Sequence, residues 1–292
     1  MFTAQPTSHS FISQRLRLHY VDWGHAGAPP LVLVHGGRDH CRSWDWVADR
    51  LRHHWHVVAV DLRGHGDSAW SPDGDYTLPA YIYDLAQFIH QLSVPQVTLV
   101  AHSLGGVISL RYAGLFPEKI RKLVAIEGIG PTEAMIAHRA HLTLPERWRQ
   151  WIEERRKISG RMPRRYASFD DALARMRSEN TYLSAEQAAH LTANAASRNE
   201  DGTWSWKFDN YMHLTPPVDL NPDEIYSLWH AIDCPTLLCH GDQSRFASTL
   251  TDGRLKHFRY ARVARFANAG HWPHHDQFEP FMVELQKFLS AV

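Results

Sequence analysis

Ala101-His102-Ser103-Leu104-Gly105-Gly106 decides the reading of this chain. The residues before it, Gln96-Val-Thr-Leu-Val-Ala101, form an aliphatic run that reads as a buried strand. The residues after it, Gly105 to Phe116, have helical spacing and are closed by Pro117. A serine at such a strand-to-helix turn sits on strained backbone, with its hydroxyl raised above the sheet. Strand and helix approach closely there, so the positions two before and two after must be small. Ala101 and Gly105 fill them, with alanine in place of the first glycine of G-x-S-x-G. A helix opening at Gly105 also aims its first amides at any anion forming beside Ser103. Ser103 is therefore the expected nucleophile, although a serine in this place can also be a plain helix cap.

Working outward, the same alternation recurs. Leu31-Val-Leu-Val34 ends at His35-Gly-Gly37, and His56-Val-Val-Ala-Val60 ends at Asp61-Leu-Arg-Gly-His-Gly-Asp-Ser68. Lys122-Leu-Val-Ala-Ile126, Pro235-Thr-Leu-Leu-Cys239 and Tyr260 to Phe266 are further strands. Helical patterns separate them: Trp44 to Leu51, Pro79 to Leu92 with Tyr83, Leu85, Phe88, Ile89 and Leu92 on one face, and Phe278 to Leu289. Continuous aliphatic strands between helices predict an α/β fold with a mainly parallel sheet covered on both faces. The alternating stretch Leu16 to Val21 suits antiparallel strands at one edge.

Between residues 131 and 229 the strand signal is absent, and helical, Arg- and Trp-bearing stretches replace it. Trp148, Trp151, Trp204 and Trp206 stand out. Ser168 and Ser184 are expected helix caps, with a capping box at Ser184–Gln187. The expected division is a core of residues 1–130 and 230–292 and a helical cap of residues 131–229. An insertion between core strands reads as a lid over the site, or else as a packing subdomain without a gating role.

Composition limits the partners. The chain has 292 residues, 44% hydrophobic and 21% charged, with 31 basic and 31 acidic residues. That balance predicts a small, mostly neutral substrate and no nucleic-acid partner. Three cysteines, Cys41, Cys234 and Cys239, form no disulfide or metal pattern, so a reducing, cytoplasmic setting is expected. Residues 1–20 hold no apolar core, and no apolar run reaches the roughly 18 residues of a membrane span. Neither secretion nor membrane insertion is expected. Histidine is abundant, at 21 copies, but His53, His54 and His56, and His271, His274 and His275, lack further ligands at defined spacing. No metal and no organic cofactor is expected.

A serine hydroxyl needs a base, and Asn268-Ala-Gly-His271 follows the last strand. His271 is the expected proton acceptor. His35, at the turn after the first aliphatic strand, and His102, which neighbours Ser103 and points away from it, are the competitors.

Taken together, His35-Gly36-Gly37, Asp61 to Ser68, Ala101 to Gly106 and Asn268 to His271 resemble the α/β-hydrolase superfamily in order and spacing. The resemblance covers the chain outside the cap. It implies an eight-stranded, mostly parallel sheet with the site at the carboxyl ends of the strands. It also implies an oxyanion hole made by the amides of Leu104 and Gly37. The family usually places its acid three residues past a glycine after the seventh strand, which here is Ser244. Two acids compete for the role: Asp242, two residues early, and Glu127, directly after Lys122–Ile126, where some members carry the acid instead. Glu127 is preferred, with Asp242 as the alternative acid.

Members with an aspartate nucleophile, such as epoxide hydrolases and haloalkane dehalogenases, are disfavoured by Ser103. The expected activity is hydrolysis of carboxylic esters through an acyl-enzyme. Hydrolysis of lactones, amides or carbon–carbon bonds, cofactor-free perhydrolysis, and a non-catalytic receptor role remain alternatives.

Overall fold

In the computed structural model, residues 4–130, 135, 137, 141–159, 161–213, 216–244 and 253–291 are described. Pro131, where the insertion was expected to begin, lies outside them. The strands are β1 Thr7–Ser13, β2 Leu16–Asp22, β3 Pro30–Val34, β4 His56–Val60, β5 Val97–His102, β6 Ile120–Ile126, β7 Ala196–Arg198, β8 Trp204–Trp206, β9 Thr236–Gly241 and β10 Ala261–Phe266. Eight of them form one sheet in the order β1-β2-β4-β3-β5-β6-β9-β10. β1 pairs antiparallel with β2, and β2 with β4; the remaining neighbours are parallel. This is the mainly parallel sheet that the aliphatic runs predict, with the eight strands that the family resemblance implies.

Those runs are continuous because both faces are covered. Leu31, Val32, Leu33 and Val34 are all fully buried. Val32 and Val34 join a core with Leu99, Ile108, Phe88 and Trp229 on one face. Leu31 and Leu33 join Trp44, Val124, Phe281 and Leu285 on the other. The first face is closed by helices α2 Leu78–Gln91, α3 Leu104–Leu115 and α7 Pro222–Ala231, the second by α1 Asp45–Leu51 and α8 Phe278–Ser290. Truncating a side chain such as Leu99 in this packing costs about 2–5 kcal/mol.

Two sequence expectations need correction. In α2 the buried face is Ala80, Tyr81, Asp84, Leu85, Phe88 and Ile89, while Tyr83 is exposed. Tyr81, Leu85 and Phe88 keep the i, i+4, i+7 spacing of one stripe, which Tyr83 leaves. The buried Asp84 belongs on that stripe because Arg63 grips both its oxygens, at 2.6 and 2.8 Å, and Ser13 donates to it.

The segment between β6 and β9 is also not free of strands. It holds α4 Leu144–Ser159, α5 Phe169–Glu179 and α6 Ala185–Ala195, then the antiparallel pair β7–β8. The turn between those strands carries Gly202 at φ 84°, in the left-handed region that glycine adopts freely. Each strand is three residues long, too short for a period to show in sequence. Ser184 caps α6 with the expected box, and Ser168 also forms a complete box with Asp171 on α5. Helix α6 docks on the core: His40 Nε2 lies 3.1 Å from the Leu191 carbonyl, and Gln187 donates to the His275 carbonyl at 3.2 Å.

Candidate active site

Ser103 follows β5 directly and precedes α3, with φ 50° and ψ −116°. Such backbone costs on the order of 1–3 kcal/mol and persists only where its surroundings enforce it. Here the Ser103 amide is tied to the Ile126 carbonyl at 2.8 Å, so β6 holds the turn from the side. A β-carbon on Gly105 would lie 2.5 Å from the Val34 and His35 carbonyl oxygens. One on Gly106 would lie 2.7 Å from the Gly128 carbonyl. These contacts are the physical reason for the small residues after the serine. Ala101 is wholly buried between β3 and β6, in register with Val34 and Ala125.

His271 Nε2 lies 3.0 Å from Ser103 Oγ, within hydrogen-bond reach. Its other ring nitrogen, Nδ1, faces Glu127 Oε2 at 3.6 Å, long for a hydrogen bond. Glu127 stands one residue past β6 with φ 50°, a second strained position at the site. Its amide remains in the sheet, bonded to the Cys239 carbonyl at 2.9 Å, and its side chain is 1% exposed. Burial alone would raise its pKa. Hydrogen bonds from His240, Ser244 and the Gly241 amide, with His271 close beside them, outweigh that and bring it down to about 2. The carboxylate is therefore charged at neutral pH and able to balance an imidazolium at His271.

The competing groups are occupied elsewhere. Asp242 pairs with Arg265 at 2.7 Å on the outer side of β9 and β10. Leu62 donates its amide to His35 Nε2 at 3.0 Å, and His35 Nδ1 donates to the Gly36 carbonyl at 2.6 Å. Burial lowers the His35 pKa to about 3. That neutral ring braces the loop after β3. His102 Nε2 donates to the His271 carbonyl at 2.8 Å, and burial, with His271 beside it, pushes its pKa well down. It supports the base's loop from behind.

The loop after β3 passes close to the nucleophile: a β-carbon on Gly36 would be 3.0 Å from Ser103 Cβ. Gly37 follows it, and Leu104 opens α3, where first-turn amides have no partner within the helix. Of the two expected oxyanion donors, Leu104 follows Ser103 directly and Gly37 follows the glycine that lies beside it. Met212, on the 3-10 turn Asn210–His213, reaches over Gly37; its Cε would be 3.1 Å from a β-carbon there. That turn is pinned to the core: the Asp209 amide bonds the Gly64 carbonyl at 2.9 Å, and the Tyr76 hydroxyl donates to Asp209 at 2.6 Å.

Sequence reasoning missed His240, whose Nδ1 lies 2.7 Å from Glu127 Oε1, and Met212. The signal for His240 was its place at the carboxyl end of an aliphatic strand, beside a strand that ends at an acid. Met212 had none, because its place depends on how the insertion folds back. Among the described residues, His19, Cys41 and Asp61 bring ligand-type atoms together, which sequence spacing does not reveal. His19 Nδ1 is hydrogen-bonded to Asp61 at 2.7 Å, and the Cys41 amide bonds the same carboxylate at 2.6 Å.

The chain belongs to the alpha/beta hydrolase family, whose profile matches residues 31–282. It is 26% identical to the serine hydrolase-like protein of Danio rerio over 238 residues, 79% of this chain and 71% of that protein. An esterase of Mycobacterium tuberculosis is 26% identical over 262 residues, 87% of this chain and 80% of that protein. Epoxide hydrolase 4 of Mus musculus is 27% identical over 275 residues, 90% of this chain and 73% of that protein. Among solved structures, a thioesterase domain from the curacin biosynthetic pathway superposes with a TM-score of 0.84 at 21% identity, covering 99% of this chain and 100% of that one. At that identity the likeness concerns the fold. No helix among the described residues is long and apolar enough to cross a membrane.

Proposed function

We propose that this hydrolase cleaves carboxylic esters of small, mostly neutral substrates through an acyl-enzyme on Ser103. The observation that carries the reading is the 3.0 Å contact between Ser103 Oγ and His271 Nε2 on a strained strand-to-helix turn. Ser103 Oγ attacks the acyl carbon while its proton passes to His271 Nε2. The carbonyl oxygen becomes an oxyanion held by the amides of Leu104 and Gly37, which can lower the barrier by several kcal/mol. His271 then gives its proton to the departing alcohol oxygen. Water, deprotonated by His271, attacks the acyl carbon and frees the acid. Glu127 orients His271 and balances its transient charge, with Asp242 as the lesser alternative. Residues 131–229 form the cap that shapes the pocket beside residues 1–130 and 230–292 of the core, and the protein works in the cytoplasm.

The relatives named as esterase and as serine hydrolase-like support this choice, whereas one named as epoxide hydrolase does not outweigh the serine. Epoxide opening in this family uses an aspartate whose own carboxyl is hydrolysed, a step that serine cannot imitate. The test is turnover of p-nitrophenyl esters of graded acyl length beside a terminal epoxide. Ester turnover without epoxide turnover is expected. Epoxide turnover alone would reject the proposal.

A further inference from the structure

We infer that His240 is a positioning residue, acting on His271 through Glu127; the inference rests on the reading of Glu127 as the acid that orients the base. An ionised carboxylate offers about four acceptor sites. On Glu127, Oε1 takes the Gly241 amide at 2.7 Å and His240 Nδ1 at 2.7 Å. Oε2 takes the Ser244 hydroxyl at 2.6 Å and faces His271 Nδ1 at 3.6 Å. Two imidazoles thus face one carboxylate, one at each oxygen. The contact to His240 is the shorter of the two.

This arrangement answers a mechanical need. A glutamate has one more rotatable bond than an aspartate, so it must be clamped to hold a base in register. The acid also reaches the site from β6, on backbone turned to φ 50°. The clamp comes from β9, the next strand, and the two are fixed by pairing: Ile126 stands opposite Cys239, and the Glu127 amide bonds the Cys239 carbonyl. His240 is the next residue on β9, and its side chain is only 13% exposed, so little water competes for the bond. Removing the Nδ1 donor leaves Oε1 one partner short and lets the carboxylate swing toward Gly241, away from His271. Misplacement on the order of 1 Å can cost about a hundredfold in rate.

The test uses the full chain and p-nitrophenyl butyrate, with kcat and KM measured separately. In His240→Leu the donor is gone, and kcat should fall by about tenfold to a hundredfold with KM within twofold. His240→Asn keeps an N–H at the position of Nδ1 and should recover most of the loss. His240→Gln carries its amide one bond farther and serves the same comparison if the leucine variant does not fold. Combined with Glu127→Gln, His240→Leu should add no further loss, because its effect runs through the missing carboxylate. A wild-type kcat in His240→Leu beside a crippled Glu127→Gln overturns this inference alone. So does full additivity in the double variant. A wild-type kcat in Glu127→Gln overturns the reading of the acid, and this inference with it.

Discussion

The Ser244 hydroxyl donates to Glu127 Oε2 at 2.6 Å, joining the loop after β9 to the end of β6. Ser244 occupies the position where the family resemblance leads one to expect an acid. In this chain a hydroxyl stands there, and it serves a carboxylate that arrives from the neighbouring strand. On the proposed reading the acid comes from β6 instead, and its carboxylate stands beside His271. Glu127 itself stands on strained backbone at φ 50°, with its side chain bonded to Gly241 and Ser244 at and beyond the end of β9.

From this geometry Glu127→Gln should lose activity severely. The carboxylate fixes the imidazole tautomer and stabilises the imidazolium, and in the template serine protease its loss costs about ten-thousand-fold in kcat. A loss of about a thousandfold or more is expected here. Asp242→Asn removes the charge that pairs with Arg265, which is more than half exposed, and should leave kcat within about threefold. Both are measured as kcat on one ester, with folding followed by circular dichroism. A crippled Asp242→Asn beside a near-normal Glu127→Gln would reverse the assignment.

Ser103→Ala should abolish ester turnover and leave the fold intact. The hydroxyl accounts for none of the backbone contacts that hold the turn, which run through the Ser103 amide and the Gly105 and Gly106 positions. A fluorophosphonate probe should label wild type with one adduct per chain, and peptide mapping should put it on Ser103. Labelling at another serine sinks the nucleophile assignment.

The sheet could be read in sequence because parallel strands buried on both faces leave unbroken aliphatic runs, as at Leu31–Val34 and Val97–Ala101. Ser103 and His271 could be read because turn chemistry surrounds them locally. Glu127 was legible only as a choice between two acids, since the choice depends on which carboxylate crosses to the base in space. His240 and Met212 escaped for the same reason. His240 meets Glu127 across strands, so its place at the end of an aliphatic strand gains meaning only once β6 and β9 are paired, and Met212 reaches Gly37 across the insertion, with nothing in its own neighbourhood to mark it. The β7–β8 pair escaped through shortness.

Met212 should set acyl size. Its methyl lies against the loop at Gly37, a proposed oxyanion donor, and its turn is pinned through Asp209 to Gly64 and Tyr76. By contrast, Trp204 packs edge-on against Phe169, and Trp206 donates to the Tyr166 hydroxyl, contacts internal to the insertion. Met212→Ala should therefore raise kcat/KM for octanoate over butyrate esters by about tenfold, the usual effect of freeing a few methylenes of space. A ratio within twofold of wild type removes Met212 from the acyl pocket.

Acid should unfold the protein early, and histidines rather than carboxylates should set the onset. Burial lowers His35 to about 3, His40 to about 4 and His275 to about 3, and pushes His102 and His274 well down. Unfolded histidine titrates near 6.5, so between about 6.5 and 4 the unfolded chain binds protons at these sites that the folded chain refuses. Stability then falls as pH falls. Two buried carboxylates act the other way: burial raises Asp39 to about 7 and Asp276 to about 6, so in the same window the folded chain holds protons that the unfolded chain releases. Five histidines outnumber two carboxylates, and unfolding takes up protons overall. Glu127 adds a second, lower window: folded at about 2 against an unfolded value near 4.3, its contribution is present above that value and is lost as pH drops through 2. The urea midpoint should therefore decline between pH 6.5 and 5, each net proton contributing about 1.4 kcal/mol per pH unit. A midpoint that is flat or rises across that interval would mean that the buried imidazoles are not held neutral.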